Sequence, residues 1–194
     1  GLLAPGLGLL FLALAAIFRA IAFVSFTNAL PLFLTLSRGF AADAPIIGTS
    51  LALYSIGGSA GGLLAGALER RFGRRRLVWS LMLIAAPITA SVLFVEPGTA
   101  LFWLLVTLAG LTTNAPIPLM VVSAQELAPD QVATASGMLM GFTWGTAGVI
   151  YIGFGALQEW IGLQPALLLA FGFLLPAALL ARNVLKRNRA ALSG

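Results

Sequence analysis

Apolar residues run almost unbroken through this chain, and the few charges mark where each run stops. Residues 44–68, 77–95, 97–125, 131–158 and 160–181 carry no charge, and residues 1–37 carry one, Arg19. A helix needs about 20 apolar residues to cross a hydrocarbon core of about 30 Å. The runs therefore predict six membrane-spanning helices at roughly 7–36, 45–68, 76–95, 99–124, 131–157 and 163–182. A membrane barrel would instead alternate apolar and polar residues over strands of about 10 positions. Turn chemistry falls between the runs. Pro45 suits a first helical turn, Glu96-Pro97-Gly98-Thr99 ends in an N-cap, Pro129-Asp130 opens the fifth helix, and Gly162 with Pro165 brackets the last turn. Connections of about 4–9 residues suit a compact bundle. No stretch reads as a linker or a soluble domain, so residues 1–194 are expected to form one six-helix membrane domain. The first run lacks the basic start of a secretory signal and is far longer than its apolar segment.

Composition narrows the class. Of 194 residues, 60% are hydrophobic and 9% charged, against about 25% charged in soluble domains; a water-soluble enzyme is excluded. The sequence has no Cys and no His, which removes disulfides, thiolate nucleophiles, Cys/His zinc sites and Ser–His pairs. No enzyme activity, cofactor or metal is expected. The Arg bias, with abundant Ala, Leu and Gly, points to a high-GC bacterial genome and so to a bacterial inner membrane.

The placement of charge sets orientation. Arg70, Arg71, Arg74, Arg75 and Arg76 lie between the second and third helices, and Arg182, Lys186, Arg187 and Arg189 follow the sixth. An even helix count puts these and both termini on one face, and the opposite loops carry only Arg38. Lys and Arg concentrate on the cytoplasmic side, so both termini are expected there. The net charge of +5 then serves topology, and no nucleic-acid partner is expected.

Two short patterns recur. Gly66-Ala67-Leu68 with Gly73 returns as Gly155-Ala156-Leu157 with Gly162, and Asn28-Ala29-Leu30-Pro31-Leu32 is echoed by Asn114-Ala115-Pro116-Ile117-Pro118-Leu119. Three helices separate the copies. Three is odd, so the copies cross the membrane in opposite directions, as the inverted triplets of transporters do.

Few residues inside the spans offer chemistry. Arg19 lies roughly 18 Å along the first helix, where a charge costs about 2.5–3.5 kcal/mol. It is expected to face a polar cavity; the alternative is a later helix start with Arg19 snorkelling to the interface. Asn28 is nine residues further and half a turn away around the helix. Asn114 shares a stripe with Thr107, Gly110, Pro118 and Gln125, and Pro116 and Pro118 free carbonyls there. Trp144 sits mid-span, where interfacial tryptophans do not belong. Arg19, Asn28, Asn114 and Trp144 are the candidate substrate-binding residues; Asn114 could instead bond between helices, and Trp144 could simply fill the core. Gly58, Gly62, Gly66 and Gly137, Gly141, Gly145 recur every four residues and predict close helix packing. All six acids fall at predicted helix ends, so no span supplies a carboxylate for a proton relay.

The stretch Gly66-Ala67-Leu68-Glu69-Arg70-Arg71-Phe72-Gly73-Arg74-Arg75-Arg76-Leu77 resembles the signature loop of the major facilitator superfamily, G-x-L-x-D-R-x-G-R-R. Gly66, Leu68, Arg71, Gly73, Arg74 and Arg75 match; Arg70 stands at the acid position, with Glu69 one residue early. Phe18-Arg19 followed by Asn28-Ala29-Leu30-Pro31-Leu32 is similar to the seventh helix of the fosmidomycin-resistance branch. Val122-Ser123-Ala124-Gln125-Glu126-Leu127-Ala128-Pro129, Ser136-Gly137-Met138, Gly141-Phe142 and Gly145 are similar to its helix 10 to 11 junction. The resemblance implies an all-α polytopic fold: six transmembrane helices in 3+3 inverted repeats, forming the C-terminal half of a twelve-helix transporter. It implies alternating access and drug efflux by proton antiport, as in antibiotic resistance. The substrate would be a small molecule, anionic in view of Arg19, and the titrating group would lie in the other half. That second six-helix half, either the N-terminal part of the same protein or a second copy, is the expected partner beside the lipid bilayer. Gly66, Arg71, Gly73, Arg74, Arg75 and Glu126 would form a cytoplasmic gate, with lipid phosphates as the alternative partners of the arginines. The chain reads as a fragment of a longer protein. A six-helix homodimeric transporter and a non-transporting membrane scaffold or receptor are the rival readings.

Overall fold

The computed structural model describes residues 5–192, and side chains for residues 6–186. Every regular element among them is helical. α1 (Pro5–Leu32) runs into a π-helical turn, Phe33–Ser37, and is followed by α2 (Pro45–Phe72) and α3 (Arg74–Ser91). α4 (Ala100–Asn114) and α5 (Pro116–Leu127) make the fourth pass. A 3₁₀ turn (Pro129–Gln131), α6 (Val132–Gly137), a π turn (Met138–Phe142) and α7 (Thr143–Ile161) make the fifth, and α8 (Leu163–Gly172) with α9 (Leu174–Leu192) the sixth.

Among the described residues, five helical stretches are long and apolar enough to cross a membrane: Gly6–Ser37, Pro45–Phe72, Ala100–Leu127, Pro129–Ile161 and Leu163–Lys186. α3, third in chain order, is shorter and is not one of these five; its 18 residues begin with three arginines. It ends at Ser91 rather than near residue 95. Beyond it, the Leu93 carbonyl accepts a 2.8 Å hydrogen bond from Arg38 Nη2.

The expected uninterrupted helices are interrupted in four passes, by π turns in the first and fifth and by breaks at proline in the fourth and sixth. Pro116 and Pro118 have no N–H to offer the carbonyls of Thr112 and Asn114, and the helix breaks at Ala115. Pro176 likewise leaves the Gly172 carbonyl without its donor, and α8 ends there. Pro31 precedes the first π turn, where the Thr35 hydroxyl donates to the Pro31 carbonyl at 3.1 Å. Thr99 caps α4 as its position predicts, accepting from the Phe102 N–H at 3.2 Å. Asp130 does not cap: Gln131 stands at the N-cap of α6, with no side-chain cap.

The repeated glycine pattern builds one turn twice. Gly73 and Gly162 have φ of 77° and 93°, which side chains other than Gly rarely accept. Each donates its N–H to the carbonyl four residues back, Glu69 at 2.8 Å and Gln158 at 3.0 Å.

α1 is central, in contact with α5, α7, α8 and α9; α2 lies along α4, and α3 packs against α4 and α9. The α2–α4 approach is made by Gly58 of the expected ladder, whose Cβ would come 2.7 Å from the Asn114 side chain, and by glycines one position off that ladder. A Cβ on Gly57 or Gly61 would strike the backbone of Thr107 or Leu111, and one on Gly110 would strike that of Tyr54. Gly62, Gly66, Gly137, Gly141 and Gly145, which the spacing assigned to close packing, have nothing within 4 Å of a would-be Cβ. Rows offset by one residue lie about 100° apart on a helix, and spacing alone does not say which row meets a neighbour.

Candidate functional site

Arg19 lies on α1 about 20 Å from its start and is only 2% exposed, so its side chain is enclosed by the bundle. Its Nη1 points at the broken end of α4. There the Thr113 carbonyl and Asn114 Oδ1 each lie 3.5 Å away, at the outer limit of a hydrogen bond. Among the described residues no carboxylate pairs with it; the ion pairs present belong to Arg74. The guanidinium sits 5.2 Å from the Trp144 ring centroid, a cation–π contact that partly offsets its burial.

An aromatic wall continues from Trp144. Phe23 meets Trp144 edge-on with centroids 4.7 Å apart and Tyr54 at 5.6 Å, and Tyr54 stacks on Phe26 at 4.1 Å. Tyr54 is fully buried beside Arg19, with its hydroxyl turned toward Thr113 and Asn114, yet neither its hydroxyl nor the buried Thr113 hydroxyl makes a well-formed hydrogen bond. Buried polar atoms are nearly always satisfied. One cation and two weakly bonded hydroxyls are thus gathered in one place inside the bundle.

Of the expected residues, the structure joins Arg19, Asn114 and Trp144 and leaves Asn28 apart. Asn28 is exposed, its amide bonded to the Val24 carbonyl at 2.8 Å. α1 stays helical from Pro5 to Leu32, so nothing rotates Asn28 to the Arg19 side. Tyr54 and Thr113 were not expected. The chain has two tyrosines, and Tyr54 lies mid-span, the same anomaly that singled out Trp144.

At the other cluster, Arg74 forks between two carboxylates. Nε meets Glu69 Oε1 and Nη1 meets Glu126 Oε2, both at 2.5 Å. Each group alone sits at the wrong pole of its helix: the glutamates in the last turns of α2 and α5, the arginine at the start of α3. Together they neutralise three helix ends and tie them. Gly73 makes the turn that aims Arg74 back. Arg71 lies over the Phe72 ring at 5.6 Å, Arg75 Nε is buried without a partner, and Gly66 is exposed; none of the three bonds to Glu126.

A family model of the Major Facilitator Superfamily matches residues 12–194. An uncharacterized MFS-type transporter of Bacillus subtilis, YfnC, is 32% identical over 129 residues, 66% of this chain and 31% of that protein. The fosmidomycin resistance protein of Escherichia coli K12 is 29% identical over 93 residues, 47% of this chain and 22% of that protein. The matched stretch thus spans less than a third of either relative.

Proposed function

The chain belongs to the Major Facilitator Superfamily, and from that premise we propose that it is half of a secondary active transporter. In this reading it exports a small, anionic, drug-like molecule by alternating access, in exchange for protons, from the inner membrane of a bacterium, with both termini cytoplasmic. The observation that carries the reading is Arg19, a permanent charge midway along α1 that is 2% exposed and, among the described residues, without a counter-ion. Such a charge is costly unless something answers it. A phosphonate or carboxylate would, because the planar guanidinium matches two oxygens at once. Trp144 and Phe23 supply an apolar wall, and Tyr54 and Thr113 two hydroxyls without a well-formed hydrogen bond. Similarity to the fosmidomycin resistance protein supports a drug-like substrate and the outward direction.

The remaining parts follow from the same geometry. Arg74 with Glu69 and Glu126 holds the ends of α2, α3 and α5 together, and breaking this tie is the opening step on the cytoplasmic side. The acids lie at pass ends, so the proton-carrying group belongs to a second six-helix half. The open glycine rows of α2 and the fifth pass offer that half smooth faces.

The test is export of an anionic drug by the complete transporter carrying Arg19→Leu or Arg19→Lys. Both variants are expected in the membrane, Leu without export. Lys should lower export about tenfold, the loss of one charge-assisted hydrogen bond of about 1.5 kcal/mol. Unchanged export by Arg19→Leu overturns the reading.

A further inference from the structure

We propose that the cavity beneath the α2–α3 turn is a second, separate binding site, selective for a phosphate-bearing anion. The cavity holds about 640 Å³ and is lined by Arg70, Arg71, Arg74, Arg75 and Arg76 against two carboxylates, Glu69 and Glu126. Both carboxylates are engaged by Arg74. Among the described residues the other four arginines have no acidic partner, and the buried Nε of Arg75 has no hydrogen-bond partner of any kind. The start of α3 adds to the pull: Gly73 gives it no side-chain cap, so its first N–H groups and the positive helix pole also face this region. Arg70 sharpens the case. It occupies the position where the family signature has an acid, so this chain replaces the negative group of the loop with a positive one.

Four arginines and a helix start in a cavity of this size fit a phosphate group carrying a small organic substituent. Phe72 lines the same cavity and is 50% exposed, which gives a lipid's glycerol and acyl chain an apolar ledge. The phosphate chemistry is shared by an anionic phospholipid headgroup and by free phosphate.

The control is Arg182. It sits outside the cavity, with its guanidinium 5.1 Å from the Trp79 ring, on the basic face that the topology assigns to the cytoplasm. If the arginines only obey the general preference of that face for cations, Arg182 matters as much as Arg75. The experiment uses the full-length protein with Arg75→Gln, Arg70→Asp and Arg182→Gln, each checked for folding by size exclusion. Arg70 is exposed, so its variant tests the site even where Arg75→Gln fails to fold. In one arm, native mass spectrometry counts phosphatidylglycerol retained from equal mixtures with phosphatidylcholine. In the other, melting temperature is followed as inorganic phosphate replaces chloride at constant ionic strength without lipid. Selective retention of phosphatidylglycerol identifies the lipid as ligand, and a melting shift with phosphate identifies the free anion. In either case Arg75→Gln and Arg70→Asp should weaken binding about fivefold each, and Arg182→Gln should leave it unchanged. No selectivity in either arm, an equal loss in Arg182→Gln, or no loss in Arg70→Asp overturns the proposal.

Discussion

Gly110→Ala places one methyl group where α4 touches α2. The added carbon would lie inside contact distance of the Tyr54 carbonyl, with the Tyr54 Cα also close. These are backbone atoms, so no side chain can swing aside and the two helices must part. Helix propensity favours Ala over Gly by about 1 kcal/mol, while overpacking a tight contact costs about 1–3 kcal/mol and more against backbone. The expected net effect is a loss of about 1–2 kcal/mol, taken from the contact between α2 and α4. Gly62→Ala is the matched control: nothing lies within 4 Å of its Cβ, so propensity acts alone and the variant should be as stable as the parent or more so. Gly58→Ala separates folding from function. Its Cβ would come 2.7 Å from Asn114 Nδ2, a side chain that can move, so stability should change little. Moving Asn114 withdraws its oxygen from Arg19, so export should fall. Thermal unfolding of the three variants in one detergent, beside drug export from cells, reads both quantities. A Gly110→Ala protein as stable as Gly62→Ala would refute the α2–α4 packing described above.

Glu126→Gln should alter the transport rate while leaving the folded protein intact, because the pair with Arg74 is part-exposed and worth about 1 kcal/mol or less. Combined with Arg74→Gln, its effect should fall short of the sum of the two single changes; strict additivity in a transport assay would show that the tie is not functional. Pro118→Ala returns a backbone donor to the Asn114 carbonyl and is expected to stabilise α4–α5 while slowing export; equal rates would show that the break at Ala115 is not used. The cysteine-free sequence suits topology mapping: Ala41→Cys should react with a membrane-impermeant thiol reagent in intact cells, and Phe72→Cys only after permeabilisation. The opposite pattern reverses the orientation.

The two kinds of information divide along a physical line. Transfer of side chains from water to lipid is a local, additive property, so charge-free runs alone placed the passes, and the helix-end residues Gly73, Gly162, Thr99 and Pro45 placed their turns. The signature loop and the place of Arg19 midway along the first helix were legible for the same reason, since neither depends on a neighbour. What the sequence left open was the rotation of each helix about its axis. In water an apolar stripe marks the buried side of a helix, but lipid is as apolar as a core, so the passes carry little such stripe and packing between helices sets the facing. Only the tertiary structure therefore decided that Gly57 and Gly61, rather than Gly62 and Gly66, meet α4. Packing likewise brought Tyr54 and Thr113 to Arg19 while Asn28 turned away, and made Arg74, among five neighbouring arginines, the one that reaches Glu126.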